Sequence, residues 1–584
     1  MKKNDASVKF LLFIICGIIF AYNLGSALPI IESEKFYFQS VKEMFARHDW
    51  ITPYYQGQFR FQKPILFYWL VSLSYLAFGI NNFAVRFPSV LFGILTVIFT
   101  FNIGRRLFDR KTGLLAAGIV ATLVIFFMYS RYASPDMALT FFVVYAIYLF
   151  LKGTKDPEKG KPFFTAFFVV LGLATMTKGY VGFLLPLIVV LSFIISAKKW
   201  KLLKAINIPS GVFIILAVGL PWYIAMCLLH GDKYLNHTIA FDAIKRMFCV
   251  PNTGAGHGFL LTYLKKLFFY IPVLIVWFMP YSLFLPAAIR DAFKSKKTYS
   301  LERDSYKLIL SYFLGIFIFF SLMRAKEYQY LLPLSPALGL MTARYFINLE
   351  ERNMQFRSIG FNIVYILVTI VYILGLSGIL YTMHHIYSSR VAVYEYAVAL
   401  APLIIILPYL RKKSTATLFA IPIAMAVLML FLAGRAIPLF NDRALPAFTD
   451  EIKSLIKPGE KVGVGSVDIS QQRIGIYMDM PIEEVNVKSK LSDVVPLHKN
   501  KLADFLTSGD KVYLVIAEDD YMSLIPDDIK SKLIIMDERE MWKTRLKRSL
   551  GKETISEVLR GKKDILKDVL RHKVYLLTNK KDSD

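Results

Sequence analysis

The sequence predicts a polytopic α-helical membrane protein that ends in a small α/β domain on the outer side. Three observations carry that prediction. First, apolar stretches long enough to cross a bilayer recur along most of the chain. Residues 10–31 and 359–383 contain no charged side chain, and 83–103 contain a single arginine. Second, the cationic surplus falls in short clusters between these stretches. Third, the pattern changes after about residue 438, where apolar runs shorten and charge density rises. The composition agrees: 55% of 584 residues are hydrophobic, which leaves too little polar surface for a soluble globule of this size.

Taken in order, the apolar runs predict spans near residues 8–30, 83–104, 113–131, 136–152, 163–177, 180–197, 206–229, 267–289, 306–323, 328–346, 359–382, 391–410 and 415–435. That is about thirteen helices of roughly 20 residues each. The first begins Met1-Lys2-Lys3 and is too long for a cleaved signal core, so it is read as an uncleaved span. With the N-terminus inside, the clusters at Arg105, Lys152, Lys198, Lys294, Arg344 and Arg411 all fall on the cytoplasmic side, as the positive-inside rule requires. A frame wrong by one span would scatter them.

Residues 1–435 are therefore predicted to form the membrane domain, with outer loops at 31–82 and 230–266 and a short outer turn at 324–328. The first loop carries amphipathic stretches at 40–50 and 64–78, suited to lie in the interface. Residues 436–584 are predicted to form an outer α/β domain of ordinary size. Its expected strands are 461–465, 511–516 and 573–577, and its expected helices 447–456 and 501–506. The Gly463/Gly465 pair reads as turn chemistry at a strand end, because no glycine-rich phosphate loop follows it.

Several classes are excluded or set back. The net charge of +27 invites a nucleic-acid reading, but the cations sit between spans and form no basic face with stacking aromatics. Of the three cysteines, Cys16 and Cys227 fall in spans and Cys249 in a loop, so no disulfide framework or cysteine metal pair is expected. A secondary transporter should show two related halves with interrupted helices, and no such repeat is present. A non-catalytic receptor would account for the tail but not for acids and bases drawn from several helices.

Those acids and bases are the informative residues, because charge near a bilayer is costly and marks sites or paths. The outer side gathers Glu32, Glu34, Lys35, Lys63, Arg86, Arg131, Asp136, Lys178, Arg246, Arg324, Lys326 and Glu327. Cations of this kind hold phosphate, and carboxylates orient or deprotonate a nucleophile. Plainer readings stand beside the functional one. Arginines near helix ends snorkel, Ser134-Pro135-Asp136 is a good helix start, and Gly179 after Lys178 is a helix stop. Aromatic pairs such as Phe126-Phe127 and Phe141-Phe142 suit either helix packing or a lipid groove.

Ordered motifs then carry a resemblance. They are Glu43-Met44 through Asp49-Trp50 and Pro53, Phe61-Gln62-Lys63-Pro64, Tyr68-Trp69, Arg86-Phe87-Pro88-Ser89, Gly104 to Phe108, Arg131 to Ala138, Thr177-Lys178-Gly179 and Tyr330 to Pro333. The set covers about the first 350 residues and resembles the aminoarabinose-transferase and protein-mannosyltransferase relatives. The resemblance implies a GT-C fold and inverting sugar transfer from a polyprenyl phosphate at the outer face of a bacterial inner membrane.

It also implies residue roles: Glu34, Glu32 and Asp136 as catalytic carboxylates, and Lys63 on the donor phosphate with help from Arg246, Arg131 or Lys178. Arg86, Tyr37, Arg324, Lys326 and Tyr330 are expected to bind substrate. The chain departs from the family pattern at Ser33, where an aspartate is usual, at Phe36, where an arginine is frequent, and at Gln62, where a glutamate is usual. The expected acceptor is lipid A or another envelope glycolipid, with protein hydroxyls as the alternative. No cofactor is called for. A divalent cation on the carboxylates stays open, since no metal-specific spacing accompanies them.

Overall fold

The structure is a computed structural model that describes residues 2–25, 32–154, 160–236, 267–298, 302–323, 325–385, 395, 398–436, 444–457, 460–465, 483–484, 499–542 and 571–580. The chain divides into two compact units. One comprises Met1–Gly378 with Ala392–Arg435, the other Ile379–Val391 with Ala436–Asp584.

The first unit is helical. Helix α1 (Lys2–Ala21) is followed by α2 (Glu32–Arg47), a short hairpin of β1 (Tyr54–Tyr55) and β2 (Gln58–Phe59), and α3 (Leu66–Phe78). Then come α4 (Asn82–Leu107), α5 (Arg110–Ala121), α6 (Val124–Ser130), α7 (Pro135–Gly153), α8 (Lys161–Lys178) and α9 (Tyr180–Ala197). After α10 (Lys201–Ile206), α11 (Ile208–Gly219) and α12 (Pro221–His230), further helices cover Tyr270–Trp277, Leu285–Thr298, Arg303–Leu322, Ser335–Glu351, Ile359–His385, Pro402–Leu410 and Ser414–Phe431.

Local chemistry sets several of these boundaries. Asn81 caps α4 by accepting the Ala84 N–H at 2.9 Å, and Asp109 caps α5 by accepting the Thr112 N–H at 2.8 Å. Ser134 caps α7, with Pro135 at its first turn, and Gly179 ends α8 at φ +67°. The two plain readings of those motifs are thus part of the structure.

Among the described residues, six helices are long and apolar enough to cross a membrane: α4, α7, α9, Arg303–Leu322, Ile359–His384 and Ser414–Ala436. Three bent pairs raise the number to nine. The sequence-based count of about thirteen is not reached among the described residues, and the predicted spans 8–30 and 391–410 lie partly outside them. The other four predicted spans coincide with α1, α8, Ser335–Glu351 and Pro402–Leu410, which are shorter or more polar.

The three bends fall inside stretches that hydropathy reads as single spans. The chain turns by 69° between α5 and α6, by 47° between α11 and α12, and by 119° after Tyr270–Trp277. Pro221 starts α12, and Pro280 stands in the third break. A proline lacks the N–H that would continue the preceding helix. Helix α7 is central: 83% of its apolar stretch is buried, against 28% for Ile359–His384, which keeps most of its surface for lipid.

In the second unit, β3 (Lys461–Val464), β4 (Glu483–Glu484), β5 (Val512–Ala517), β6 (Ile534–Trp542) and β7 (Arg571–Thr578) form one sheet in the order β4-β3-β5-β7-β6. The β3–β4 and β3–β5 pairings are parallel; those of β7 with β5 and β6 are antiparallel. Every residue of β5 is buried, so both faces are covered. Phe448 and Ile452 of Ala444–Leu455 pack on one face, and Leu502 and Phe505 of Lys499–Leu506 on the other. Strand β6 follows no clean alternation, which explains why its charged sequence gave no strand signal.

The helical unit depends on close backbone approach where α4 crosses α5. A Cβ on Gly104 would lie 2.7 Å from Gly113 Cα, and one on Gly113 would lie 2.6 Å from the Phe101 carbonyl oxygen. Small residues at such crossings let helices meet without voids. Gly113→Val is expected to lose roughly 1–3 kcal/mol through overpacking. A thermal melt of the detergent-solubilised protein followed by size exclusion should show it, while Gly17→Ala, with nothing within 4 Å of the new methyl, should melt as wild type.

Candidate active site

One hollow in the helical unit is a cavity of about 400 Å³. Its walls come from the loop before α3, the α8–α9 junction, α12 and the stretch from Phe320 to Tyr330. Two cations reach it, Lys63 from the loop and Lys178 from the end of α8. Most of the rest is aromatic or aliphatic, including Phe61, Tyr180, Trp222, Tyr223, Tyr234, Phe320 and Tyr330.

The loop between α2 and α3 is held in place by polar contacts at its base. Gln56 and Gly57 both have positive φ, the geometry a two-residue hairpin needs, and their N–H groups donate to the Glu43 carboxylate at 2.7 and 3.0 Å. Trp69 Nε1 donates to the Trp50 carbonyl at 2.8 Å. Trp222 Nε1 of α12 donates to the Ile51 carbonyl at 2.8 Å, and the Thr52 hydroxyl lies 2.8 Å from His230 Nε2. Phe59 and Phe61 pack on the His230 ring, and Phe61 meets Tyr234 edge to face. These contacts fasten the loop to α12, so Lys63, with Pro64 behind it, is carried to the cavity.

Lys178 is fixed from two sides. It forms an ion pair with Asp136, and its ammonium lies 4.8 Å from the centre of the Tyr330 ring. The second Asp136 oxygen accepts the Ser134 hydroxyl at 2.6 Å. Asp136 therefore acts through Lys178: it holds the ammonium at the wall and does not itself line the cavity. Lys63, Lys178 and Tyr330 are the predicted site residues that the fold brings together there.

The others lie elsewhere. Glu34 is fully buried, and both its oxygens accept from Arg86, at 2.6 Å from Nε and 2.9 Å from a terminal nitrogen. The Ala133 N–H adds a third contact at 3.2 Å. Arg86 also donates to the Leu24 carbonyl at 2.8 Å. Arg131 donates to the Phe20 and Tyr22 carbonyls, each at 2.8 Å. These two arginines tie down the carbonyl end of α1, a structural use that leaves neither at the cavity wall.

Lys326 donates to the Phe320 and Ser321 carbonyls at 2.7 and 2.6 Å and so caps the end of Arg303–Leu322. Tyr37 is buried between Phe67 and Tyr68, with ring centres 4.9 and 4.8 Å away. Glu32 opens α2, and its side chain lies outside the described residues, as do Arg246 and Arg324. Phe126, Phe127, Phe141 and Phe142 are buried in helix packing and are not among the lining residues.

Sequence reasoning missed Tyr180, Trp222, Tyr223 and Tyr234. The proline-induced break before α12 was the available signal, since Trp222 and Tyr223 follow it directly and both line the cavity. Among the described residues no three His, Cys, Asp or Glu side chains converge as a cation-binding group.

The architecture is that of a GT-C membrane glycosyltransferase. A structure of ArnT from Cupriavidus metallidurans bound to undecaprenyl phosphate matches 98% of both chains with a TM-score of 0.68 at 18% identity. The profile of the dolichyl-phosphate-mannose-protein mannosyltransferase family matches residues 62–224, which contain Lys63, Asp136 and Lys178. A protein of Aquifex aeolicus without an assigned function is 30% identical over 409 residues, 69% of this chain and 74% of its own length.

The chain belongs to the ArnT-like family of GT-C glycosyltransferases. Undecaprenyl phosphate-alpha-4-amino-4-deoxy-L-arabinose arabinosyl transferases of Edwardsiella ictaluri and Yersinia pestis are 29% and 26% identical, over 54% and 62% of this chain. The matches span 55% and 62% of those two proteins' lengths.

The buried Glu34–Arg86 pair makes a stability prediction. Arg86→Ala leaves a desolvated carboxylate without its partner, a loss of about 3–5 kcal/mol. A large drop in melting temperature is expected, and Arg86→Ala/Glu34→Leu, which removes both charges, should recover much of it. If the single variant melts like wild type, the pair is not structural.

Proposed function

We propose that this protein transfers a sugar from a polyprenyl-phosphate carrier to a phosphate-bearing envelope glycolipid of the lipid A class, at the outer face of the membrane. One observation carries the reading: Lys63 and Lys178, from separate parts of the chain, meet in one aromatic-walled cavity.

Breaking a glycosyl phosphate leaves negative charge on the departing phosphate, and fixed ammonium groups in a water-poor site stabilise that charge. The apolar walls suit the first isoprene units of the carrier and the ring faces of a sugar. The undecaprenyl phosphate bound to the Cupriavidus relative supports a carrier of this type. Attack from the side opposite the phosphate in a single displacement inverts the anomeric centre, and the protein's part is alignment.

The state of the carboxylates favours an acceptor that is already anionic. Glu34 is occupied by Arg86, and Asp136 by Lys178 and Ser134. A phosphate acceptor attacks without surrendering a proton, whereas a serine or threonine hydroxyl needs a free base. Transfer to protein hydroxyls is the competing reading within the family. The orientation that fits is an N-terminus in the cytoplasm and residues 436–584 outside, in the periplasm of a bacterial inner membrane.

In proteoliposomes charged with a polyprenyl-phosphate sugar and lipid A, Lys63→Ala and Lys178→Ala are each expected to lower transfer by roughly 10²–10³-fold. Transfer at the wild-type rate in either variant removes that lysine from the phosphate site, and transfer to a peptide hydroxyl in place of lipid A favours the protein acceptor.

Topology is separately testable. In intact spheroplasts of a variant lacking the native cysteines, Asp527→Cys, with 95% of its side chain exposed, should react with an impermeant maleimide. Lys412→Cys, in the predicted inner cluster, should react only after permeabilisation. The reverse pattern inverts the orientation.

A further inference from the structure

Gln62 stands immediately before the cavity lysine Lys63 and lines the same cavity. Its side-chain oxygen Oε1 is buried and has no hydrogen-bond partner in the structure. A buried carbonyl oxygen without a partner is a liability unless something fills its valence. The cavity it faces is large enough for a sugar and is walled by Trp222 and Tyr234, whose rings suit the apolar face of a pyranose. The only charged side chains on its described walls are the cations Lys63 and Lys178, and Asp136, which pairs with Lys178, does not line the cavity.

An ammonium-bearing sugar brought here would meet two like charges and find no described carboxylate on the walls. A hydroxyl-bearing neutral sugar would instead donate to Gln62 Oε1 and leave the lysines to the phosphate. We infer that Gln62 is a specificity-determining residue, and that it selects a carrier whose sugar is uncharged and presents a hydroxyl donor. This rests on the polyprenyl-phosphate reading above and adds the chemical class of the transferred sugar. The sugar inferred here differs from the 4-amino-4-deoxy sugar in the names of two relatives.

The test is equilibrium binding to the full-length protein in nanodiscs, read by displacement of a fluorescent undecaprenyl phosphate. Three competitors are compared: bare undecaprenyl phosphate, its neutral hexosyl derivative and its 4-amino-4-deoxypentosyl derivative. The wild type should favour the hexosyl over the aminopentosyl carrier by roughly tenfold or more. Gln62→Glu, which puts a carboxylate at the same place, should narrow or invert that ratio. Gln62→Met, which removes the acceptor at similar size, should lower hexosyl affinity relative to the bare carrier.

Equal or tighter wild-type binding of the aminopentosyl carrier overturns the assignment of a neutral sugar while leaving the carrier reading intact. A ratio unmoved by Gln62→Glu overturns the role of Gln62. Failure of bare undecaprenyl phosphate to displace the probe at all overturns the carrier reading, and this inference with it.

Discussion

The ion pair between Glu34 and Arg86 is the constraint on which this end of the helical unit depends. A fully buried carboxylate is tolerated only when its charge and its lone pairs are met, and here a guanidinium and a backbone N–H meet them. The same guanidinium reaches the Leu24 carbonyl. One interaction thus joins the end of α1, the start of α2, the first turns of α4 and the turn that precedes α7. The cost of burying the charge is offset only when all four elements are in place, so the pair enforces their mutual position.

That frame supports a second pair whose use is different. Asp136, in the first turn of α7, is held by the cap of its own helix and in turn holds Lys178 at the end of α8. Lys178 is further aimed by the Tyr330 ring. The buried pair near α1 leaves no free valence for a substrate, whereas the one at the cavity wall keeps an ammonium beside open volume. Of the three acidic residues that the family resemblance suggests as catalytic, Glu34 and Asp136 therefore differ in kind: Glu34 stabilises the frame, and Asp136 positions a cation.

The loop between α2 and α3 completes the arrangement. Its hairpin geometry, its indole hydrogen bonds to backbone carbonyls and its aromatic contacts with α12 carry Lys63 to the same cavity from the opposite side of the sequence. A carrier phosphate held between two such lysines would have its prenyl chain beside aromatic walls and its sugar beside Gln62. On the proposed reading the cations serve the phosphate, the rings the hydrocarbon and pyranose faces, and a neutral amide a hydroxyl.

The sequence by itself determined the class of fold. Runs without charge can be satisfied only in lipid, and helix boundaries at Asn81, Ser134-Pro135 and Gly179 follow from local capping and backbone rules. It also marked Lys63, Lys178 and Tyr330 through their motifs, and the sheet strands β3, β5 and β7 through their apolar runs. Hydropathy did not show the bends at residues 122–123, 220 and 278–280, because it measures composition and not direction. Only the tertiary structure decided which charges pair. Glu34, Arg86 and Arg131 look like site residues in one dimension, yet long-range contacts with carbonyls and with each other engage them, and Lys326 caps the end of its own neighbouring helix. Strand β6 and the cavity walls at Tyr180, Trp222 and Tyr234 were equally invisible, since their meaning comes from neighbours far away in the chain.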